Sequence, residues 1–201
     1  MESDFWNTRY GVEHYVYGTE PNTFVAVSAD LIPAGPVLCL AEGEGRNAAF
    51  LASRGHAVTA VDRSTVGLEK ARRLAASKGV TIQTLAADLA EYDLGRDQWA
   101  GVVATFAHLP SRLRRLVHGR VVGALAPGGV VILEAYTPAQ LAHGTGGPKD
   151  LELLMSLEAL REDFAGLELV VARELEREVV EGEGHTGLAA VVQVIGRKRR
   201  A

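Results

Sequence analysis

The stretch VLCLAEGEGRNAAFLASRGHAVTAVD, Val37 to Asp62, decides how this chain is read. An apolar run (Val37, Leu38, Cys39, Leu40) enters a turn containing Gly43 and Gly45, a segment of helical periodicity follows, and a second apolar run ends in an acid. That order predicts a strand, turn, helix, strand unit with a nucleotide-shaped gap at its top. Glycine lets backbone approach a ligand closely, and the free N–H groups at the helix start favour an anionic group there. Asp62 stands 19 positions after Gly43, where a carboxylate at the tip of the next strand can grip ribose hydroxyls.

Outward from this unit, the pattern is α/β. Ser64 predicts the cap of a helix through Leu68, Ala71, Leu74 and Ala75 to Gly79, with Lys70, Arg72, Arg73 and Lys78 on its wet side. Val80 to Ala86 is expected as a third strand, delivering Asp88 and Leu89 to the ligand edge. Trp99 to Phe106 reads as a fourth strand buried on both faces, with His108 at its carboxyl end. A helix over Ser111 to Leu125 and a fifth strand at Val130 to Leu133 follow, and that strand brings Glu134 and Tyr136 to the same edge. The loop TPAQLAHGTGGPK, with His143, is placed where a gate would sit. Ser156 predicts a short capped helix, and two long β-like runs, Leu167 to Glu181 and Leu188 to Arg197, form an antiparallel hairpin.

The chain has 201 residues, 47% hydrophobic and 23% charged, with a formal net charge of −4. These values fit one ordinary globular domain and disfavour a disordered or nucleic-acid-coating chain. A single domain over residues 1–201 is expected, with 1–34 as an N-terminal lid with helices and 35–201 as the core. Cys39 is the only cysteine, which excludes an intramolecular disulfide and fits a reducing compartment. With no long apolar run and an acidic start, the expectation is a cytoplasmic protein without a membrane or nucleic-acid partner. The segment FWNTRYGVEHYVYGTEPNTFV (5–25) carries one of the two tryptophans and three of the five tyrosines. Trp6, Tyr10, Tyr15 and Tyr17 can close over a small molecule or pin the terminus to the core.

The turn GEGRNA also satisfies the G-x-G-x-x-A spacing of dinucleotide-binding enzymes, so NAD with hydride transfer and S-adenosylmethionine with methyl transfer compete. Asp88, the closing hairpin and the lack of chain for a separate substrate domain favour the second. The residues then carry a resemblance. VLCLAEGEGRNAAFLASRGHAVTAVD is similar to the first and second motifs of class I S-adenosylmethionine-dependent methyltransferases, while TFAHLP and LAPGGVVILEAYTP look like that class's later motifs. The small tellurite-resistance and thiopurine-type enzymes are the nearest in pattern. The resemblance implies a Rossmann-like seven-stranded, mostly parallel sheet with an antiparallel last strand and helices on both faces. It also implies S-adenosyl-L-methionine as cofactor and a small-molecule acceptor.

Carried over by position, the resemblance sets the cofactor's methionine end against Glu42, Gly43, Glu44, Gly45, Arg46 and Asn47, with Tyr17 above. Asp62 would hold the ribose hydroxyls beside Arg63 and Ser64, Asp88 and Leu89 would flank adenine, and Thr105, Phe106 and His108 would line the reactive side. Cys39 and Ala100 replace the usual aspartates and Ala41 a glycine, so a methyltransferase-fold binding module without catalysis is the third reading. Methyl transfer needs a base only for a protonated nucleophile; the candidates are His108, Glu134, His143 and His185, with Tyr136 as an orienting group. No metal-ligand spacing stands out.

Overall fold

The computed structural model describes residues 2–183 and 185–200; Gly184, in the expected hairpin turn, and the two terminal residues lie outside it. Its elements in order are α1 (Glu2–Tyr10), α2 (Thr23–Ser28), β1 (Pro36–Leu40), α3 (Arg46–Ser53), β2 (Ala57–Asp62), α4 (Thr65–Ser77), β3 (Gln83–Ala86), β4 (Trp99–Thr105), α5 (Ser111–Ala124), β5 (Leu125–Tyr136), α6 (Leu157–Asp163), β6 (Glu168–Glu181) and β7 (His185–Arg197). The strands form one seven-stranded sheet in the order β3-β2-β1-β4-β5-β7-β6. Strands β1 to β5 pair in parallel, and β7 runs antiparallel to both β5 and β6. The Rossmann-like sheet implied by the resemblance is the observed one.

Strand periodicity builds two cores. Leu38 and Leu40 of β1 pack on one face with Val102, Ala104, Leu133, Val121, Leu160 and Phe164. Val37 and Cys39 point the other way, into Val25, Ala48, Leu51, Ala60 and Val103. Strands apolar on both sides need helices on both sides, here α5 and α6 against one face and α2 and α3 against the other. Because β1 leads outward to β2 and β3 while β4 and β5 lie on its other flank, the topology reverses between β1 and β4. A crevice opens there, beyond the carboxyl ends of the strands.

Several boundaries differ from the sequence reading for local reasons. Strand β3 starts at Gln83 rather than Val80, because the Val80 N–H donates to the Ala75 carbonyl at 3.0 Å and Gly79 has φ +71°, a closing turn of α4. Strand β5 runs well past Val130–Leu133, absorbing the turn at 126–129 as an irregularity opposite Trp99 and Gly101. The aromatic N-terminal segment contains a helix: α1 docks along α4 through Asn7, whose Oδ1 accepts from Ser64 Oγ at 2.7 Å.

Lys70 is the largest departure. Expected on the wet side of α4, it is buried, pairs with Glu44 at 2.5 Å and donates to the carbonyls of Val12 and His14 at 3.0 and 2.6 Å. It therefore clamps the chain between α1 and α2 onto the core. Lys70→Ala leaves a buried carboxylate without its cation and should cost about 3–5 kcal/mol in chemical denaturation, with faster amide exchange at residues 10–14. A loss below about 1 kcal/mol would mark Lys70 as an ordinary surface lysine.

Candidate active site

A cavity of about 650 Å³ fills the crevice, a size suited to a small-molecule ligand. Its floor is built from strand ends. Asp62, the last residue of β2, accepts from the Gly43 and Ser64 N–H groups, each at 2.8 Å, with one carboxylate oxygen apiece. Burial raises its pKa while these donors oppose the shift. Asp88, beyond β3, accepts from the Ala90 N–H at 2.9 Å and pairs with Arg63 at 3.3 Å. It is thus a turn cap and a cavity residue together.

The turn itself is arranged differently from the expectation. Gly43 (φ +61°) and Gly45 (φ +90°) need glycine because a Cβ would fall 2.6 Å from the Tyr10 hydroxyl and 2.4 Å from Ala71. The protein, not a ligand, makes these close approaches, and neither glycine lines the cavity; nor does Ser64, which is buried as the cap of α4. Glu42 lines the cavity, and its Oε1 accepts from the Ala48 N–H at 2.7 Å, capping α3; burial pushes its pKa up to about 7. Ala41 has φ +48°, so the glycine it replaces would have relieved a left-handed conformation. Cys39 and Ala100 both pack in the apolar cluster, away from the cavity.

Arg46, Asn47, Glu44 and Tyr17 also line the cavity, as do Arg63, Leu89 and Thr105. Arg46 is held by Glu181 at 2.5 Å through Nη2, while its buried Nη1 has no hydrogen-bond partner among the described residues. Glu181 also accepts from Asn22 Nδ2 at 2.9 Å and Arg177 Nη2 at 3.2 Å. Asn22 and Arg177 continue to Glu134, whose two oxygens take bonds of 2.5 to 2.8 Å from Asn22, Arg177 and Gln193. Glu134 is fully buried and off the cavity wall. Its expected role as a base is replaced by a structural one, because every oxygen is already occupied by strong donors.

His108 does face the cavity. Its Nδ1 lies 2.7 Å from the Leu153 carbonyl, which can only accept, so Nδ1 carries the proton and Nε2 is a buried lone pair without a partner. Burial pushes its pKa down to about 4. His185 lines the cavity as well; burial, reinforced by Arg46, pushes it down to about 3. Its ring lies 4.6 Å from Tyr17 and 4.5 Å from Phe106. Tyr136 stacks behind His108 at 5.6 Å, off the wall, with an unpartnered hydroxyl and a pKa raised by burial. His143 leaves the site altogether and pairs with Glu176 at 3.1 Å. The expected gate loop contributes Gly146, Gly147 and Pro148 to the wall, pinned by Gln140, which accepts from the Ala190 N–H at 2.8 Å.

Lys70, Asn22, Arg177 and Glu181 were not marked as site residues in the sequence. Only Asn22 has a local signal, its position before a helix; the others act through partners far away in the chain. Among the described residues no group of His, Cys, Asp and Glu could hold a metal ion, and no helix is long and apolar enough to cross a membrane.

The sheet order and the crevice above it are similar to those of solved S-adenosylmethionine-dependent methyltransferases. Residues 37–129 match the family described as "Methyltransferase domain". The 2-heptyl-1-hydroxyquinolin-4(1H)-one methyltransferase of Mycobacteroides abscessus is 30% identical over 118 residues, covering 57% of this chain and 52% of that one. This chain thus spans about half the length of the curated relative it matches. TehB from Haemophilus influenzae superposes with a TM-score of 0.72 at 18% identity, over 98% of this chain and 67% of that chain. The magnesium protoporphyrin IX methyltransferase ChlM of Synechocystis PCC 6803, with bound SAH, gives 0.71 at 16% identity over 98% and 97%.

The His108 tautomer is directly measurable. Imidazole proton–nitrogen correlation spectra should show it neutral, with the proton on Nδ1, from pH 8 to 5, charging only near pH 4. A midpoint near the unperturbed value of about 6.5 would contradict the buried placement.

Proposed function

We propose that this chain transfers a methyl group from S-adenosyl-L-methionine to a small-molecule acceptor. The observation that carries the reading is the unpartnered, buried Arg46 Nη1 on the same cavity wall as the strand-end acids Asp62 and Asp88. A ligand with a carboxylate at one end and ribose hydroxyls at the other fits that donor set: Arg46 would take the carboxylate, Asp62 the hydroxyls, and Asp88 with Leu89 the base. The two Asp62 oxygens keep lone-pair capacity beyond the backbone bonds they accept from Gly43, Arg63 and Ser64.

When bound, S-adenosylmethionine supplies a methyl group on a sulfonium; transfer forms the acceptor–carbon bond, and the electron pair of the broken carbon–sulfur bond stays on sulfur. The chain's part is to align the acceptor, exclude water and take up a proton. His108 Nε2 suits the last task although it is a weak base, because an oxygen or sulfur acceptor gaining a methyl group becomes strongly acidic. Tyr17 and His185 cover the cavity from the N-terminal segment and the β6–β7 hairpin, and exclusion of water follows from their contact. We assign the 201 residues to one domain, with 1–34 covering the core 35–201, and place it in the cytoplasm, in keeping with the buried free thiol of Cys39.

Calorimetric titration with S-adenosylmethionine, S-adenosylhomocysteine and NAD separates the readings. Micromolar or tighter binding of the first two is expected, weakened about 10–100-fold by Asp62→Ala, which removes charge-assisted hydrogen bonds to the ribose. Tight NAD binding with no response to the others would overturn the proposal. Binding without methyl transfer to any acceptor would leave a ligand-binding module.

A further inference from the structure

The cavity end around His108 has a chemical character of its own. His185 contacts Tyr17 and Phe106 ring to ring, at 4.6 Å and 4.5 Å, and all three line the cavity. Leu109, Leu113 and Leu153 add apolar wall, and Arg9, which donates to the Tyr17 hydroxyl at 2.8 Å, also lines the cavity. Phe106 has a left-handed conformation, φ +52°, with its N–H donating to the Glu134 carbonyl at 2.7 Å, a strained φ for a phenylalanine, and its ring lines the cavity while packing against Tyr136 behind it. Within this wall His108 Nε2 is a buried acceptor with no donor. A lone pair in such surroundings favours a ligand that brings a hydrogen-bond donor and disfavours an anion, which would face it with a second lone pair.

We propose that the acceptor is a flat aromatic or heteroaromatic molecule bearing an O–H, S–H or N–H group, its ring against Phe106, Tyr17 and His185 and its donor on His108 Nε2. This rests on the methyltransferase reading and narrows it. Flat rings gain from edge and face contacts that a saturated ring of equal size lacks. A hydrated inorganic oxyanion gains nothing from the rings and meets the unprotonated nitrogen. As methyl transfer proceeds, the proton on the acceptor's O, S or N atom passes to Nε2, and the pair that bound it stays on that atom, which ends neutral with its new bond to carbon.

Protein saturated with S-adenosylhomocysteine should be titrated with 1-naphthol, its fully saturated counterpart 1-decalol, and 1-methoxynaphthalene. Naphthol is expected to bind roughly tenfold tighter than decalol, for the ring contacts, and roughly tenfold tighter than the methoxy compound, for the hydrogen bond. His108→Phe keeps a ring but removes the acceptor, so it should abolish the naphthol-to-methoxynaphthalene difference while the naphthol-to-decalol difference persists. Equal binding of all three probes, no binding of naphthol, or a preference for selenite or tellurite in the same titration overturns the acceptor class. These outcomes are distinct from failure of the methyltransferase reading, in which S-adenosylhomocysteine itself does not bind and both proposals fall.

Discussion

The buried pair between Arg46 and Glu181 joins the parts of this molecule that local structure cannot. Arg46 opens α3 immediately after the glycine turn, while Glu181 closes β6 at the far end of the chain. Two buried charges gain little net stability over an apolar replacement, but losing either partner strands the other. Here the pair is also bonded onward, from Glu181 to Asn22 and Arg177 and from both to Glu134. The N-terminal segment, the first helix of the ligand unit, the fifth strand and the closing hairpin therefore share one polar junction. Its consequence for function is that the Arg46 guanidinium is fixed before any ligand arrives, with one nitrogen left over. Preorganised donors of this kind lower the ordering cost of binding.

The hairpin extends this logic. Strand β7 pairs with β5 only from Val191 to Arg197, yet the β6–β7 pairing continues to His185. This overhang is what carries Glu181 and His185 across the crevice, where Glu183 N–H meets the Val16 carbonyl at 3.0 Å. On the opposite side Lys70 ties down residues 10–14. The cover of the cavity is thus assembled from both ends of the sequence, and two non-glycine residues in left-handed conformations, Ala41 and Phe106, mark its interior edges.

Elements with a strong local period were legible in the sequence. The unit Val37 to Asp62, the Ser64 and Ser156 caps and the closing antiparallel hairpin follow from alternation and capping chemistry alone. Side-chain direction at strand ends was not: Glu134 and Tyr136 stand at the expected edge, yet both turn into the protein, where Glu134 meets Arg177, 43 positions away, and Gln193, 59 positions away. The burial of Lys70 is illegible for the same reason, since its carbonyl partners lie 56 to 60 residues earlier and leave no periodic trace. Gly43 and Gly45 signal a turn in the sequence, but their need for glycine comes from Tyr10 and Ala71. His108 was legible because the position after a central parallel strand faces the crevice whatever the details of packing.

The most direct test of the preorganised, ligand-holding cavity compares two nucleosides that differ at the end Arg46 would hold. S-adenosylhomocysteine has the amino-acid carboxylate and 5′-methylthioadenosine lacks it. In the intact protein S-adenosylhomocysteine should bind more tightly, and Glu181→Ala, which releases Arg46, should weaken it about 10–100-fold while leaving 5′-methylthioadenosine within about threefold, the span set by one or two charge-assisted bonds. Equal weakening of both ligands, or no difference between them in the intact protein, would contradict the role of the Arg46 and Glu181 pair in holding the cofactor.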